Sequence, residues 1–237
     1  MRYRSLERSG LRISVLGLGC SKLGSRVTGV EADVLIRSAL EAGISLFDTA
    51  DVYGAGASEG ALGGALLGVR DQAVIATKVR WPTGRGANNR GASRIHIMSA
   101  VEGSLRHLRT DLYQVHAPDP TTPVEETLAT TDHLVTSGKV RYVGMSNFGG
   151  WQLADAYWRA VAAGHSPVIS TQSPYSLLDL RAEAEILPAA RRLGIMPQHW
   201  RGSGSPVPAR VAPQQPAVRP PRSKSRCGAP RIARRGR

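Results

Sequence analysis

The chain has only two cysteines, Cys20 and Cys227, far apart and in no metal-ligand spacing. A disulfide framework is therefore excluded, and a reducing, cytoplasmic setting fits. No run approaches the roughly 18 consecutive apolar residues of a membrane span. The opening Met1-Arg2-Tyr3-Arg4 has no apolar signal-peptide core, so nothing marks the chain for export. His96, His107, His133, His165 and His199 lack ligand spacing, and no metal is expected. Acid is missing from one end altogether: residues 201–237 hold ten Lys/Arg and no Asp/Glu, whereas residues 1–200 hold 21 Lys/Arg against 18 Asp/Glu. The net charge of +13 thus belongs mainly to the tail, and the first 200 residues read as a near-neutral protein. Hydrophobic residues make up 41% of 237, enough for a sizeable core.

What is present is alternation. Short β-branched or apolar runs stand at 13–18, 44–47, 73–77, 112–115, 140–145 and 168–171. Between them lie stretches of helical period, with Val101, Leu105 and Leu108 spaced i, i+4, i+7, as are Leu153, Tyr157 and Ala160. Thr122-Pro123-Val124-Glu125 has capping-box spacing with proline at the first helical position. Gly43, Gly138, Gly164 and Gly194 are placed to end helices. The repeat is a βα series and predicts a parallel sheet covered by helices.

Such a series closes as an open doubly wound sheet or as a (β/α)8 barrel. The open sheet advertises G-x-G-x-x-G when it binds a dinucleotide, and neither Gly17-Leu18-Gly19 nor Gly54-Ala55-Gly56 has the third glycine in place. Polar residues gather instead just after successive strand ends: Asp48, Lys78, His116, Ser146-Asn147 and Gln172. Groups supplied by the C-terminal ends of several strands are how a barrel builds its site. The expected fold is an α/β, (β/α)8 TIM-barrel type, incomplete at about six βα units, preceded by a hairpin over 3–13. Residues 1–195 make this barrel, and residues 196–237 make an irregular Pro/Arg-rich tail.

Around one barrel mouth this arrangement brings an acid, a phenol, an ammonium and an imidazole. A free tyrosine has a pKa near 10, too high for a neutral-pH acid. The Lys78 ammonium is expected to favour the Tyr53 phenolate and lower that value, while Asp48 keeps Lys78 charged and in place. Tyr53 could then protonate a carbonyl oxygen, assisted by a hydrogen bond from His116. Each residue also has a structural reading on its own: Asp48 as a helix N-cap, Tyr53 as a rim packing residue, Lys78 as solvated, His116 as a satisfied buried histidine. Four such residues at successive strand ends outweigh those readings.

Together these residues resemble an aldo-keto reductase. The signatures are Gly17-Leu18-Gly19, Phe47-Asp48-Thr49-Ala50 with Tyr53-Gly54, Ser58-Glu59 with Leu62-Gly63, Thr77-Lys78, Val115-His116, and Gly144-Met145-Ser146-Asn147-Phe148. The resemblance runs from about residue 3 to 195. It implies a (β/α)8 barrel that binds NADPH at its C-terminal face, with Asp48, Tyr53, Lys78 and His116 as the catalytic tetrad. It further implies hydride transfer to a small aldehyde or ketone with Tyr53 as acid. Ser146, Asn147 and Gln172 are implied to bind the carboxamide, and Cys20-Ser21 to lie near the cofactor. A regulatory subunit of the kind this family supplies to potassium channels, or an inactive fragment, is the alternative.

After residue 195 the resemblance stops. The residues from 201 onward hold seven prolines, and their Pro/Arg/Gly/Ala/Ser composition is what GC-rich codons give out of frame, so a reading-frame change near residue 196 is expected. A nucleic-acid-binding tail is the competing reading, and the absence of aromatic interleaving beyond Trp200 weighs against it. Without the family's last units the expectations are exposed strand edges prone to aggregation and weak NADPH binding, because no residue takes up the phosphates.

Overall fold

The alternating runs fold into two sheets in the computed structural model, which describes residues 1–200. Strands β1 (Tyr3–Ser5) and β2 (Arg12–Ser14) pair antiparallel as a hairpin. Seven parallel strands follow in strict chain order: β3 (Gly17–Gly19), β4 (Leu46–Asp48), β5 (Val74–Val79), β6 (Leu112–Val115), β7 (Tyr142–Ser146), β8 (Val168–Pro174) and β9 (Met196–Trp200). Helices α1 (Gly29–Glu41), α2 (Ala57–Ala65), α3 (Arg94–His107), α4 (Val124–Thr136), α5 (Gly150–Ala162) and α6 (Ile186–Leu193) make the crossovers. A doubly wound sheet reverses its strand order at a switch point. This order never reverses, so the sheet is of the barrel type, with six βα units and a seventh strand. Among the described residues no helix is long and apolar enough to cross a membrane.

Two apolar layers lie between sheet and helices. One gathers Val79, Ile97, Tyr113, Leu134, Leu153 and Ile195 beneath α3–α6, and the other gathers Cys20, Ile36, Phe47, Leu62 and Ile75 beneath α1 and α2. A third cluster plugs the barrel. Leu6 and Ile13 of the hairpin segment pack on Leu46, Ala76, Leu112, Ile169 and Met196. The hairpin thus stops the N-terminal end, which leaves the C-terminal end as the place for a site. Leu6 is 0% exposed, and Leu6→Ala is expected to cost roughly 2–5 kcal/mol by urea unfolding.

Three local expectations need correction. The run 13–18 is two strands: the chain bends at Val15 and Leu16, where the Ser14 hydroxyl donates to Leu16 O at 2.6 Å and accepts from Ser45 N at 2.9 Å. That serine ties the hairpin to the start of β4. The capping box before α4 does not form, because the Thr122 hydroxyl donates to Asp119 Oδ2 instead, at 2.8 Å, and Pro123 takes the cap position. The irregular segment expected from residue 196 begins as strand β9, in register with β8 from Ser170↔Met196 to Pro174↔Trp200. Met-Pro-Gln-His-Trp lacks β-branched residues, but among the described residues β9 is an edge strand, where a proline's missing N–H can be tolerated. The tail expected over 201–237 lies outside the described residues. Gly43, Gly138, Gly164 and Gly194 do end their helices, all with positive φ.

Candidate active site

Parallel register arranges the polar side chains in rows. Lys78 on β5 stands opposite Gln114 on β6, which stands opposite Gly144 on β7. Nearer the mouth, Ser146 on β7 stands opposite Gln172 on β8, which stands opposite Gln198 on β9. Asp48 ends β4 and faces both rows. Its Oδ2 accepts from Lys78 Nζ at 2.6 Å, and its Oδ1 accepts from Gln172 Nε2 at 3.0 Å and Gln114 Nε2 at 3.4 Å. Lys78 is 0% exposed and also donates to Thr49 O at 2.8 Å. A buried ion pair survives when its remaining lone pairs and protons are also satisfied, and Thr49 O and the two amides supply that here. Gly144 makes the room: a methyl group there would lie 2.3 Å from Ser170 Oγ and 3.2 Å from Gln114 Cγ.

Tyr53 leaves β4 through a short 3-10 turn, Tyr53–Gly56. Its ring lies with the Lys78 ammonium 5.3 Å from its centre and with the His116 ring 5.8 Å away, edge-on at 79°. The Tyr53 pKa is raised rather than lowered. Burial pushes it up, Lys78 pulls it down, and Asp48 pushes it up again. The expected lowering by the ammonium is outweighed by burial, with the Asp48 carboxylate adding to the rise. Tyr53 therefore holds its proton at neutral pH. His116 directly follows β6, its backbone N–H donating to Val79 O at 2.9 Å. Burial, then the charges of Lys78 and Arg80, push it down to about 3, so the imidazole is neutral near pH 7 and offers one N–H.

Asn147 follows β7 with φ at 59°, its backbone N–H on Gln172 O at 2.7 Å and its side chain donating to His116 O at 2.9 Å and Ser146 Oγ at 3.0 Å. Ser146, Asn147 and Gln172 thus converge beside Asp48. Cys20 meets the site through its main chain, N–H to Asp48 O at 2.7 Å, while its thiol packs in the apolar layer, where burial and the nearby Asp48 charge push it up to about 12. The exposed neighbour is Ser21. Two residues of the cluster escaped the sequence reading. Gln114 sits inside an apolar strand, where only its period-2 position opposite Lys78 signals an inward side chain. Gln198 follows the proline that ended the reading, and its Nε2 is buried without a partner beside Gln172.

Asp51 is a second carboxylate near the site, its backbone N–H on Lys78 O at 3.1 Å. It is 9% exposed, and neither carboxylate oxygen has a hydrogen-bond partner. Burial, then the Glu59 charge, push it up to about 7. A folded value above the unfolded one gives stability that is present below about pH 4 and lost as pH rises through 7. Asp51→Asn is therefore expected to raise unfolding stability at pH 8, by at most about 4 kcal/mol, with the gain vanishing near pH 4. Urea unfolding at the two pH values checks this, and an equal gain at both would contradict it.

The family described as "Aldo/keto reductase family" matches residues 15–205. The "Uncharacterized oxidoreductase YrpG" of Bacillus subtilis (strain 168) is 40% identical over 215 residues, 84% of this chain and 66% of that protein. The "Aldo-keto reductase YhdN" of the same organism is 40% identical over 200 residues, 81% of this chain and 59% of its own. The "Probable voltage-gated potassium channel subunit beta" of Oryza sativa subsp. japonica is 34% identical over 215 residues, 87% of this chain and 65% of its own. The chain thus spans somewhat less than two thirds of the length of these curated relatives. With a barrel-type sheet, a strand-end cluster of Asp48, Tyr53, Lys78 and His116, and a family match over most of its length, the chain belongs to the aldo/keto reductase family.

Proposed function

We propose that the protein is an oxidoreductase that reduces an aldehyde or ketone to an alcohol with NADPH, Tyr53 serving as general acid. The observation that carries this reading is the Tyr53 ring set between a buried, Asp48-paired ammonium and a neutral imidazole at the open end of the barrel. NADPH, when bound, supplies the hydride. The residues present fit its nicotinamide end: Ser146, Asn147 and Gln172 offer neutral donors and acceptors, and the orphaned Gln198 Nε2 is a buried donor in want of an acceptor. These four would hold the carboxamide, while Asp48 and Ser21 lie at the neighbouring strand ends.

The substrate oxygen would accept hydrogen bonds from the Tyr53 hydroxyl and from the His116 N–H. As charge develops on that oxygen, Tyr53 gives up its proton, and the Lys78 ammonium stabilises the phenolate left behind. The raised resting pKa of Tyr53 keeps the proton in place until then. Asp48 holds the Lys78 amine in place, acting through the lysine rather than on the substrate.

A regulatory, non-catalytic role is the second reading, favoured by the similarity to a protein named as a potassium channel subunit. Loss of NADPH absorbance at 340 nm with benzaldehyde as substrate separates the two. The reductase reading expects steady consumption that requires both protein and aldehyde; NADPH binding without consumption would support the regulatory one.

A further inference from the structure

Directly after β5, two residues beyond Lys78, Arg80 adopts φ of 146°, a region that favours glycine. Non-glycine residues held there are strained and persist only where surrounding structure fixes them. Here that structure is visible. Arg80 O accepts from Gly91 N at 2.8 Å, which closes the 80–91 loop at its base. The next residue, Ala92, donates its N–H to Asp119 Oδ2 at 2.7 Å. Gly91, at φ of 91°, lets the carboxylate in, since a methyl there would lie 2.6 Å from Asp119 Oδ2. The guanidinium is pinned as well: its Cζ stacks 4.3 Å over the Trp81 ring, and one terminal nitrogen donates to Pro118 O at 3.2 Å.

Among the described residues no carboxylate pairs with Arg80, and its Nε is buried with no hydrogen-bond partner. The nearby acid, Asp119, spends its oxygens on Thr121, Thr122 and Ala92. The Trp81 ring and one carbonyl meet the guanidinium, but no carboxylate among the described residues balances its charge. Trp81, under the guanidinium, lies 6.2 Å from the His116 ring, on which Tyr53 closes from another side. The ring contacts Tyr53–His116 and His116–Trp81 thus lead from the candidate proton donor to the Arg80 guanidinium.

The geometry points to Arg80 as the residue that receives a carboxylate carried by the carbonyl substrate, so that the preferred substrates are aldehydes or ketones bearing an anionic group. This inference rests on the reductase reading above, and it adds the substrate class. The stacked, pre-placed guanidinium loses little freedom on binding, and its planar donors match a carboxylate.

The test compares 4-carboxybenzaldehyde with 4-methylbenzaldehyde, alike in shape and different in charge. The full chain is expected to favour the carboxylate in kcat/KM by about 10- to 100-fold, the range given by a hydrogen bond between charged groups. In Arg80→Met that ratio is expected to fall to about one, and in Arg80→Lys to lie between. A ratio near one in the parent chain, or one that survives in Arg80→Met, overturns the inference. A second arm does not need turnover: calorimetric titration with 4-(hydroxymethyl)benzoate, against 4-methylbenzyl alcohol as the uncharged control. Binding of the anion alone, lost in Arg80→Met, supports the site even if neither aldehyde is reduced, an outcome that would sink the reductase reading by itself. Equal binding of the two alcohols, or anion binding untouched in Arg80→Met, removes Arg80 from recognition.

Discussion

Tyr53→Phe is expected to lower kcat for aldehyde reduction by about 10²–10⁴-fold, the usual contribution of a positioned general acid. The same change should leave the Kd for NADPH within about twofold. The substitution removes one hydroxyl and keeps the ring, so its edge contact with His116 and its packing beside Lys78 persist. His116 cannot take over. At about 3, its pKa leaves no imidazolium to donate a proton at neutral pH, and a neutral imidazole is a poor acid. Steady-state kinetics with fluorescence titration of NADPH checks both halves. A variant that retains full kcat would remove Tyr53 from the acid role.

Lys78→Met should damage both stability and activity. Lys78 is 0% exposed and donates to Asp48 Oδ2 and Thr49 O, so its loss leaves a partly buried carboxylate with only the weaker Gln172 and Gln114 amides. Breaking a buried pair from one side typically costs about 3–5 kcal/mol. Activity is expected to fall at least as far as in Tyr53→Phe, because the phenolate formed by proton transfer loses its nearest positive charge. Adding Asp48→Asn to Lys78→Met should restore part of the stability and none of the activity. Urea unfolding and kinetics on the single and double variants separate the two effects. Recovery of both together would mean that Lys78 serves structure alone.

The sequence made the strand ends readable, because Asp48, Lys78, His116, Ser146 and Gln172 each follow a short apolar run, and period and spacing are local properties. The structure brings these side chains to one end of the sheet. Less legible was whatever depends on neighbours distant in the chain. Gln114 reads as core because its strand is apolar on both sides, and only register with Lys78 reveals that it points at Asp48. Strand β9 was hidden by Pro197, whose cost depends on whether the strand lies at an edge. The bend at Val15 and Leu16 depends on a hydroxyl meeting Ser45, 31 residues away. The direction of the Tyr53 pKa turned on burial, which spacing does not report.

The central claim is that this site delivers a hydride to a carbonyl carbon while Tyr53 protonates the oxygen. Incubating the full chain with 4-deuterated NADPH and benzaldehyde, then analysing the benzyl alcohol by mass spectrometry, tests it most directly. The account predicts one deuterium at the carbinol carbon, from one of the two C4 epimers only, and alcohol formation slowed by two orders of magnitude or more in Tyr53→Phe. Alcohol without deuterium from both epimers, or no alcohol although NADPH is bound, would contradict it.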